Sequence, residues 1–592
     1  MKRYTSIGLS MLALAGVAVA MLLWTVTFRA ALYNYHSPLR ESELPAVASP
    51  STPAASVVIV LVGGLGYDAS ETLDLPVLTQ LRQIGANAAV QSIPPTYAQT
   101  TWAALLSGAP PETNDAPPLD VPVDDLRLFS VDTVFARAHE AGLRTAVLGP
   151  EAWRRLIPRN QLDYTFFADA PGPEADRAIL EAALSVFKDN QAQLTLIHFT
   201  QLDVSAQQSG GASSQAYQKA AGQVDAYLDK LSAALDLKRT VLVVVSDHGY
   251  TASGGYGGSE EEVIWQPLVM VGGNTVPGNY SNISQTDLAP TLAVILGIAP
   301  PSTAQGRILF EMLRLSDADR VSAQVRLAQQ RVQLAQAYLA AVQGENATLP
   351  ERVLTDLTQA QIVLTSNPAG AFQLAELVQQ EADAQMAAAR HSRSRIEQIP
   401  RLILIALITL IWANLLWRRR GFHAGSILIA TVITLALYHG LYQLQGYSYS
   451  ISSLSEKDLP ALPFDFARRV AVSLLVGGGL MLFFFMLTDE IDWITLLGST
   501  YGFSILVVLI FILPFLGGYW QNGLVPTWRL PDVGAVFWQV SSAFETLSAA
   551  VLGFILPWPV MSLSLSINLI RRRLSQSQSR PARPGTLPGL RP

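Results

Sequence analysis

The apolar residues of this chain are concentrated at its two ends, and that distribution commits it to a membrane-anchored architecture before any motif is read. Ser6 to Phe28 is one uninterrupted apolar run preceded by Lys2 and Arg3. It is long enough to cross a hydrocarbon core and lacks a small-residue cleavage signal, so it reads as an uncleaved signal anchor. Toward the C-terminus five more apolar stretches follow: Ile399 to Trp417, Ile427 to Leu444, Val470 to Leu487, Ile494 to Leu516, and Val540 to Ile570, the last bent by Pro557 and Pro559. Six spans put the cationic clusters Lys2-Arg3, Arg418-Arg419-Arg420 and Arg571-Arg572-Arg573 on one side, which the positive-inside rule makes the cytoplasm. The residues between the first two spans then lie outside. Arg468-Arg469 falls on the outer side against this rule, and the turn Asp489-Glu490-Ile491-Asp492 is acidic where basic residues are expected.

The soluble middle divides by pattern. Residues 1–30 are the signal anchor, and residues 31–55, rich in Pro, Ser and Ala, read as a linker off the membrane. Over 56–313 short apolar runs such as SVVIVLV and TVLVVV alternate with helical stretches. That alternation predicts an α/β domain, a mostly parallel sheet with helices on both faces. Residues 314–398 turn to Ala, Gln, Leu, Arg and Glu with apolar residues at helical spacing, which predicts a helical hairpin or small bundle near the membrane. Residues 399–573 form the five-helix transmembrane region and 574–592 a disordered cytoplasmic tail. A net charge of −6 offers no basic footprint for nucleic acid, and the absence of cysteine excludes disulfides, thiolate metal sites and Cys nucleophiles.

In an open parallel sheet, chemistry collects where strands end. After the first run, Gly64-x-Gly66-x-x-Ala69 is a loose form of the dinucleotide fingerprint, with no acidic residue after a second strand to complete it, and it reads as a tight turn. The run TVLVVV ends in Ser246-Asp247-His248-Gly249, which sets an oxygen and a nitrogen ligand side by side on a loop, a pairing that suits zinc or a similar ion.

With those residues in view, the chain resembles the alkaline phosphatase superfamily, in the branch of type I phosphodiesterase/nucleotide pyrophosphatases, sulfatase-like hydrolases and phosphoethanolamine transferases. The resemblance spans 56 to about 313 and rests on six segments in order: VVIVLVGGLGYD, PPTYAQTTWAALLSGAPPE, LIHFTQLDVSAQQSG, VVVSDHG, GGYGGSEEEVIWQPLVMVGG and QTDLAPTLAVILGIAPPSTAQGR. It implies a two-metal centre, usually zinc, that activates a Thr or Ser nucleophile for attack on phosphorus. Carried over residue by residue, the family's set is mostly lost here. The first-strand Asp ligand falls on Gly63, the nucleophile on Ala98, one His ligand on Gln207 and the last His on Tyr256, while Asp203, Asp247 and His248 are retained as metal ligands. Thr96, Thr100 and Thr101 lie near Ala98 as fallback nucleophiles. Glu260, Glu261 and Glu262 read as a solvated acidic loop, and Asp68 and Asp287 as turn and cap residues.

Two functional readings follow. In the first, the chain is a membrane-anchored, extracytoplasmic pseudoenzyme with a degenerate alkaline-phosphatase-like site, acting as a structural or binding subunit beside partner subunits in a membrane assembly. In the alternative, it is a divalent-metal-dependent phosphodiesterase, phosphoester hydrolase or lipid head-group phosphotransferase with an atypical site. The expected cofactor is none or a single divalent metal, zinc by preference; the expected partners are the lipid bilayer and membrane-protein subunits, with no nucleic acid; both termini are placed in the cytoplasm. Within the spans, His439 and Glu545 are ionisable candidates, and Tyr447, Tyr449, Trp520, Trp528 and Trp538 mark the outer ends of spans.

Overall fold

The computed structural model describes residues 2–42, 44–47, 55–188, 192–417, 424–455, 461–487 and 493–578. The Arg418-Arg419-Arg420 cluster and the acidic turn at 489–492 fall outside them. Between the first and second membrane helices lies a nine-stranded, mostly parallel sheet built from β1 (Ser56–Val62), β2 (Ala86–Gln91), β3 (Thr145–Pro150), β4 (Tyr164–Ala168), β5 (Leu194–Phe199), β6 (Thr240–Val245), β7 (Trp265–Gly272), β8 (Gly278–Asn279) and β9 (Ile283–Ser284). Their order is β4-β3-β5-β1-β6-β7-β2-β8, with β9 also on β2. β7 runs antiparallel to both β6 and β2.

The β-branched runs that suggested strands lie at the centre of this sheet, where both faces are covered. Val57, Ile59 and Leu61 of β1 join Val241, Val243 and Val245 of β6 in one core layer, while Val58, Val60 and Val62 join Leu242 and Val244 in the other. Alternate side chains of a strand point to opposite faces, so each run feeds both layers. Register sets Leu61 opposite His198 on one side and Val245 on the other, which brings the carboxyl ends of β5, β1 and β6 together.

The segment expected as a helical hairpin or small bundle consists of three packed helices, Asp317–Gln343, Glu351–Ile362 and Pro368–Trp417. Ser316 caps the first by accepting the Asp319 N–H at 3.1 Å. Val321, Val325, Ala328, Val332, Ala335 and Leu339 then form the apolar stripe that seats it against the third. The third helix passes through residue 398 without a break, so the change of composition there is not the end of an element. The stretch 31–55 also departs from a free linker. The anchor helix extends to Tyr33, Leu39 is buried in the core of the three helices, and Asp115 accepts the Ser37 N–H at 2.6 Å. A Pro- and Ser-rich composition reads as a linker, but tertiary contacts of its few large residues tie it down.

Six helices are long and apolar enough to cross a membrane, which makes this a multi-pass membrane protein. Pro514 interrupts the helix Trp493–Asn522, where a proline removes a backbone donor. Ser542 of the neighbouring helix Val533–Ile555 compensates, accepting from the Phe515 N–H at 3.1 Å and donating to the Phe511 carbonyl. The last span breaks at Leu556 into a second helix, Pro557–Gln578, which extends into the tail expected to be disordered from 574. Arg469, discordant with the charge rule, is buried, ion-paired with Asp465 and seated over the rings of Tyr442 and Phe466, so it is neutralised within the bundle. Glu545 accepts the Tyr438 hydroxyl at 2.7 Å, and His439 lies 3.2 Å from the Tyr449 hydroxyl.

Candidate active site

Where β1, β5 and β6 end, the chain turns and presents Gly63, His198, Asp203, Asp247 and His248 around one buried centre. After Gly63 the backbone takes φ +79° at Gly64, a left-handed turn open to glycine. The helix Gln201–Ser209 starts directly after β5 and carries Asp203 in its first turn.

Asp247 is the most heavily bonded of the group. Its Oδ1 accepts the N–H groups of Gly64 at 3.1 Å and His248 at 2.9 Å, and its Oδ2 accepts Trp102 Nε1–H at 2.7 Å. Burial alone would raise its pKa, but His248, His198 and these donors outweigh burial and hold it below the usual carboxylate value. Asp203 behaves oppositely: burial and then the charge of Asp247 hold it well above the usual value, while the Tyr250 hydroxyl donates to its Oδ1 at 3.2 Å.

His198, which the motif reading did not single out, completes the cluster. One ligand atom each from His198, Asp203 and Asp247 lie within 4.8 Å of one another, a possible metal-binding triad. Trp153 Nε1–H donates to His198 Nδ1 at 3.0 Å. Burial pushes this imidazole down to about 4, so it is neutral, and with Nδ1 accepting, its proton resides on Nε2. A metal on Nε2 would need the other tautomer, in which two N–H groups would face each other. His248 stands beside the triad, with its Nε2 3.8 Å from Asp247 Oδ2, while its Nδ1–H donates to the Gly249 carbonyl at 3.1 Å and its ring stacks on Tyr256 at 4.9 Å. The alternation of β5 held a signal for His198, because this polar residue stands one position from the end of a strand paired with β1.

The positions expected to be lost are filled by other side chains. A Cβ on Gly63 would overlap Asp203 Oδ2 and stand 3.0 Å from His198 Nε2, so Asp203 occupies the room a first-strand ligand would need. Ala98 opens the helix Ala98–Ser107 and offers no nucleophile. The fallback threonines do not replace it. Thr100 Oγ1–H donates to the Pro117 carbonyl, Thr101 Oγ1–H to those of Tyr97 and Ala98, and Thr96 Oγ1 accepts the Gly257 N–H, all three in buried positions. Gln207 Nε2–H donates to the Tyr250 hydroxyl, and Tyr256 Oη–H donates to Asp120 Oδ2 at 2.6 Å. Trp102 stacks on Trp153 at 4.9 Å, and Tyr97, Tyr250 and Tyr256 are all buried in the same wall.

A two-metal centre does not fit this donor set, since a catalytic zinc needs about three protein ligands and two would need about six. Glu260, Glu261 and Glu262 supply no replacement. Glu260 Oε2 instead accepts the hydroxyl of Ser452, which belongs to the connection between two membrane spans. In that connection Ser452 Oγ also accepts the Gly258 N–H at 3.0 Å, and Ser455 Oγ accepts the Tyr256 N–H at 3.0 Å. The segment that would carry the last His ligand is thus held against the membrane region. Asp287 forms a capping box with Ser284, and Asp68 stands in the first turn of a short helix, neither near the triad.

Residues 127–351 match the model of the type I phosphodiesterase / nucleotide pyrophosphatase family. Among curated proteins, the chain is similar to the human GPI ethanolamine phosphate transferase 2, catalytic subunit, with 28% identity over 44% of this chain and 28% of that protein. It is also similar to the GPI ethanolamine phosphate transferase 2 of Yarrowia lipolytica, with 25% identity over 49% of this chain and 36% of that protein. The chain therefore matches about a third of the length of these relatives. Solved structures similar to it include the murine ectonucleotide pyrophosphatase / phosphodiesterase 5, at 12% identity and a TM-score of 0.35 over 41% of this chain and 96% of that one. An alkaline phosphatase superfamily protein from Vibrio parahaemolyticus matches at 18% identity and a TM-score of 0.35 over 50% of this chain and 80% of that one. Over residues 127–351 the chain is thus similar to the type I phosphodiesterase / nucleotide pyrophosphatase family.

Proposed function

We propose that this protein is a pseudoenzyme: a membrane-anchored, extracytoplasmic domain of the phosphoryl-transfer superfamily that has exchanged its catalytic centre for a closed, aromatic-walled cluster and serves as a binding or structural subunit of a membrane assembly. The observation that carries the reading is the room beside Gly63, taken by Asp203 together with an aromatic wall. Ala98 offers no nucleophile, and among the described residues each nearby threonine is committed to backbone. The cationic clusters at the predicted inner ends of the spans support the extracytoplasmic placement. The names of the human and yeast relatives place those proteins among lipid-anchor transferases, and "catalytic subunit" implies an assembly, which supports a membrane-complex role here.

A second reading has its own observation. The convergence of His198, Asp203 and Asp247 within 4.8 Å supports a single divalent ion, and the relatives' names favour lipid head-group phosphotransfer. Its chemistry would be Lewis-acid polarisation of a phosphoryl oxygen. It requires Trp153 to release His198 Nδ1, and Asp203 to lose its proton. The test is transfer or hydrolysis by the purified full chain, given Zn, Mg or Mn with phosphatidylethanolamine or an aryl phosphodiester. The pseudoenzyme reading expects turnover equal to that of Asp247→Ala; metal-dependent turnover abolished in that variant would establish the second reading.

A further inference from the structure

Where the three membrane-proximal helices meet the membrane, arginines gather with too few acids to balance them. The helix Pro368–Trp417 contributes Arg390, Arg393 and Arg401, and the connection 523–532 between two spans contributes Arg529. Their carboxylate partners are already engaged. Glu112 holds Arg390 at 3.3 Å and accepts the Tyr338 hydroxyl at 3.0 Å. Glu397 accepts from Arg401 at 2.7 Å, from Trp528 Nε1–H at 2.8 Å and from Arg393 at 3.4 Å. Among the described residues, four guanidinium groups thus face two carboxylates.

The surplus is focused at one place. Arg529 donates to the Gln521 carbonyl, and Arg401 reaches the same oxygen at 3.5 Å, so two cations converge on the C-terminal end of the helix Trp493–Asn522. Next to them Asn522 Nδ2 is buried without an acceptor. Gly523, at φ +86°, lets Arg401 lie on the backbone, since a Cβ there would stand 3.1 Å from its guanidinium. Burial, with Arg401 and Arg390 nearby, lowers the proton affinity of Arg529 despite Glu112 and Glu397. Arg393 and Arg529 also approach the Trp528 ring, at 4.7 and 5.8 Å. Donors in excess of acceptors, half-buried at the end of a span, call for an anion. Trp520, Leu524 and Leu402, close by in sequence, are exposed and apolar, as a surface for acyl chains requires.

We propose that Arg401, Arg529 and Asn522 bind the phosphate of an anionic phospholipid in the leaflet that faces the α/β domain. The inference does not depend on whether the site at Asp247 is catalytic. The test is native mass spectrometry of the full chain in detergent with phosphatidylglycerol, phosphatidylcholine and inorganic phosphate as probes. Near the surface each arginine supplies about 1 kcal/mol toward an anionic lipid, so phosphatidylglycerol is retained at least about fivefold over phosphatidylcholine, and R401Q/R529Q brings it to the phosphatidylcholine level. Arg239→Gln, at the N-terminal end of the central strand β6, leaves the preference unchanged. If the double variant aggregates, Arg529→Gln alone and the charge-keeping R401K/R529K decide, the first reducing the preference and the second retaining part of it. Equal retention of the two lipids, an unchanged preference in the variants, or displacement of phosphatidylglycerol by millimolar inorganic phosphate would overturn the proposal.

Discussion

Replacing Asp247 separates a structural cluster from a metal site that lacks its ion. In Asp247→Asn, Oδ1 still accepts from Gly64 and His248, but an amide N–H now faces Trp102 Nε1–H. One buried donor left without an acceptor costs about 1–3 kcal/mol, and three, as in Asp247→Ala, about 3–9 kcal/mol. For a domain of this size 1 kcal/mol moves Tm by about 2–4 °C, so the expected losses are about 2–12 °C for the amide and about 6–36 °C for alanine. The assay is thermal unfolding of the detergent-purified chain in EDTA, followed through tryptophan emission. A metal centre stripped of its ion behaves in the opposite sense, because two carboxylates without a cation repel, and neutralising one relieves that repulsion. An Asp247→Asn protein whose Tm in EDTA is unchanged or raised would refute the structural reading.

Three further outcomes follow from the same contacts. Asp176 is pushed from 3.8 up to about 6, because burial outweighs its hydrogen bonds from Thr200 and Gln201. The native state then holds that proton more tightly than the unfolded chain, so stability present below pH about 4 falls by at most about 3 kcal/mol up to pH about 6 and is level above; Asp176→Asn flattens that slope in a pH series of Tm values. Gly63→Asp, the substitution that restores the family's residue, lowers Tm without raising zinc content, since its side chain collides with Asp203. The chain has no cysteine, so the pair Gly258→Cys and Ser452→Cys reports cleanly on the contact between the α/β domain and the membrane region. A Cβ at 258 stands 2.5 Å from Ser452 Oγ, and the pair crosslinks under mild oxidation, whereas failure to crosslink would place the two segments apart.

The patterned parts of the molecule were legible in the residues alone. The runs SVVIVLV and TVLVVV became the central strands β1 and β6, and six apolar stretches correspond to six membrane-length helices, because burial on both faces or in lipid leaves a local, contiguous mark. Features set by distant contacts were not legible. Nothing local to Leu39 announces that it packs among helices that start near residue 317, and Pro400, where Pro368–Trp417 passes from the three-helix region into an apolar span, does not end the helix. At the site, the absence of side chains at Gly63 and Ala98 was readable by position, but the occupant of the vacated room was not. That Asp203 fills it, and that His198 joins Asp203 and Asp247, follows from the register of β5 on β1.

The central claim is that a closed, aromatic-walled cluster has replaced the metal centre. Its most direct test is metal content by inductively coupled plasma mass spectrometry on the full-length protein, purified without chelator and with zinc in the growth medium, beside Asp247→Ala. The account predicts the same substoichiometric zinc in both proteins. About one or two zinc ions per chain, absent from Asp247→Ala, would contradict it and return the site to metal-dependent phosphoryl chemistry.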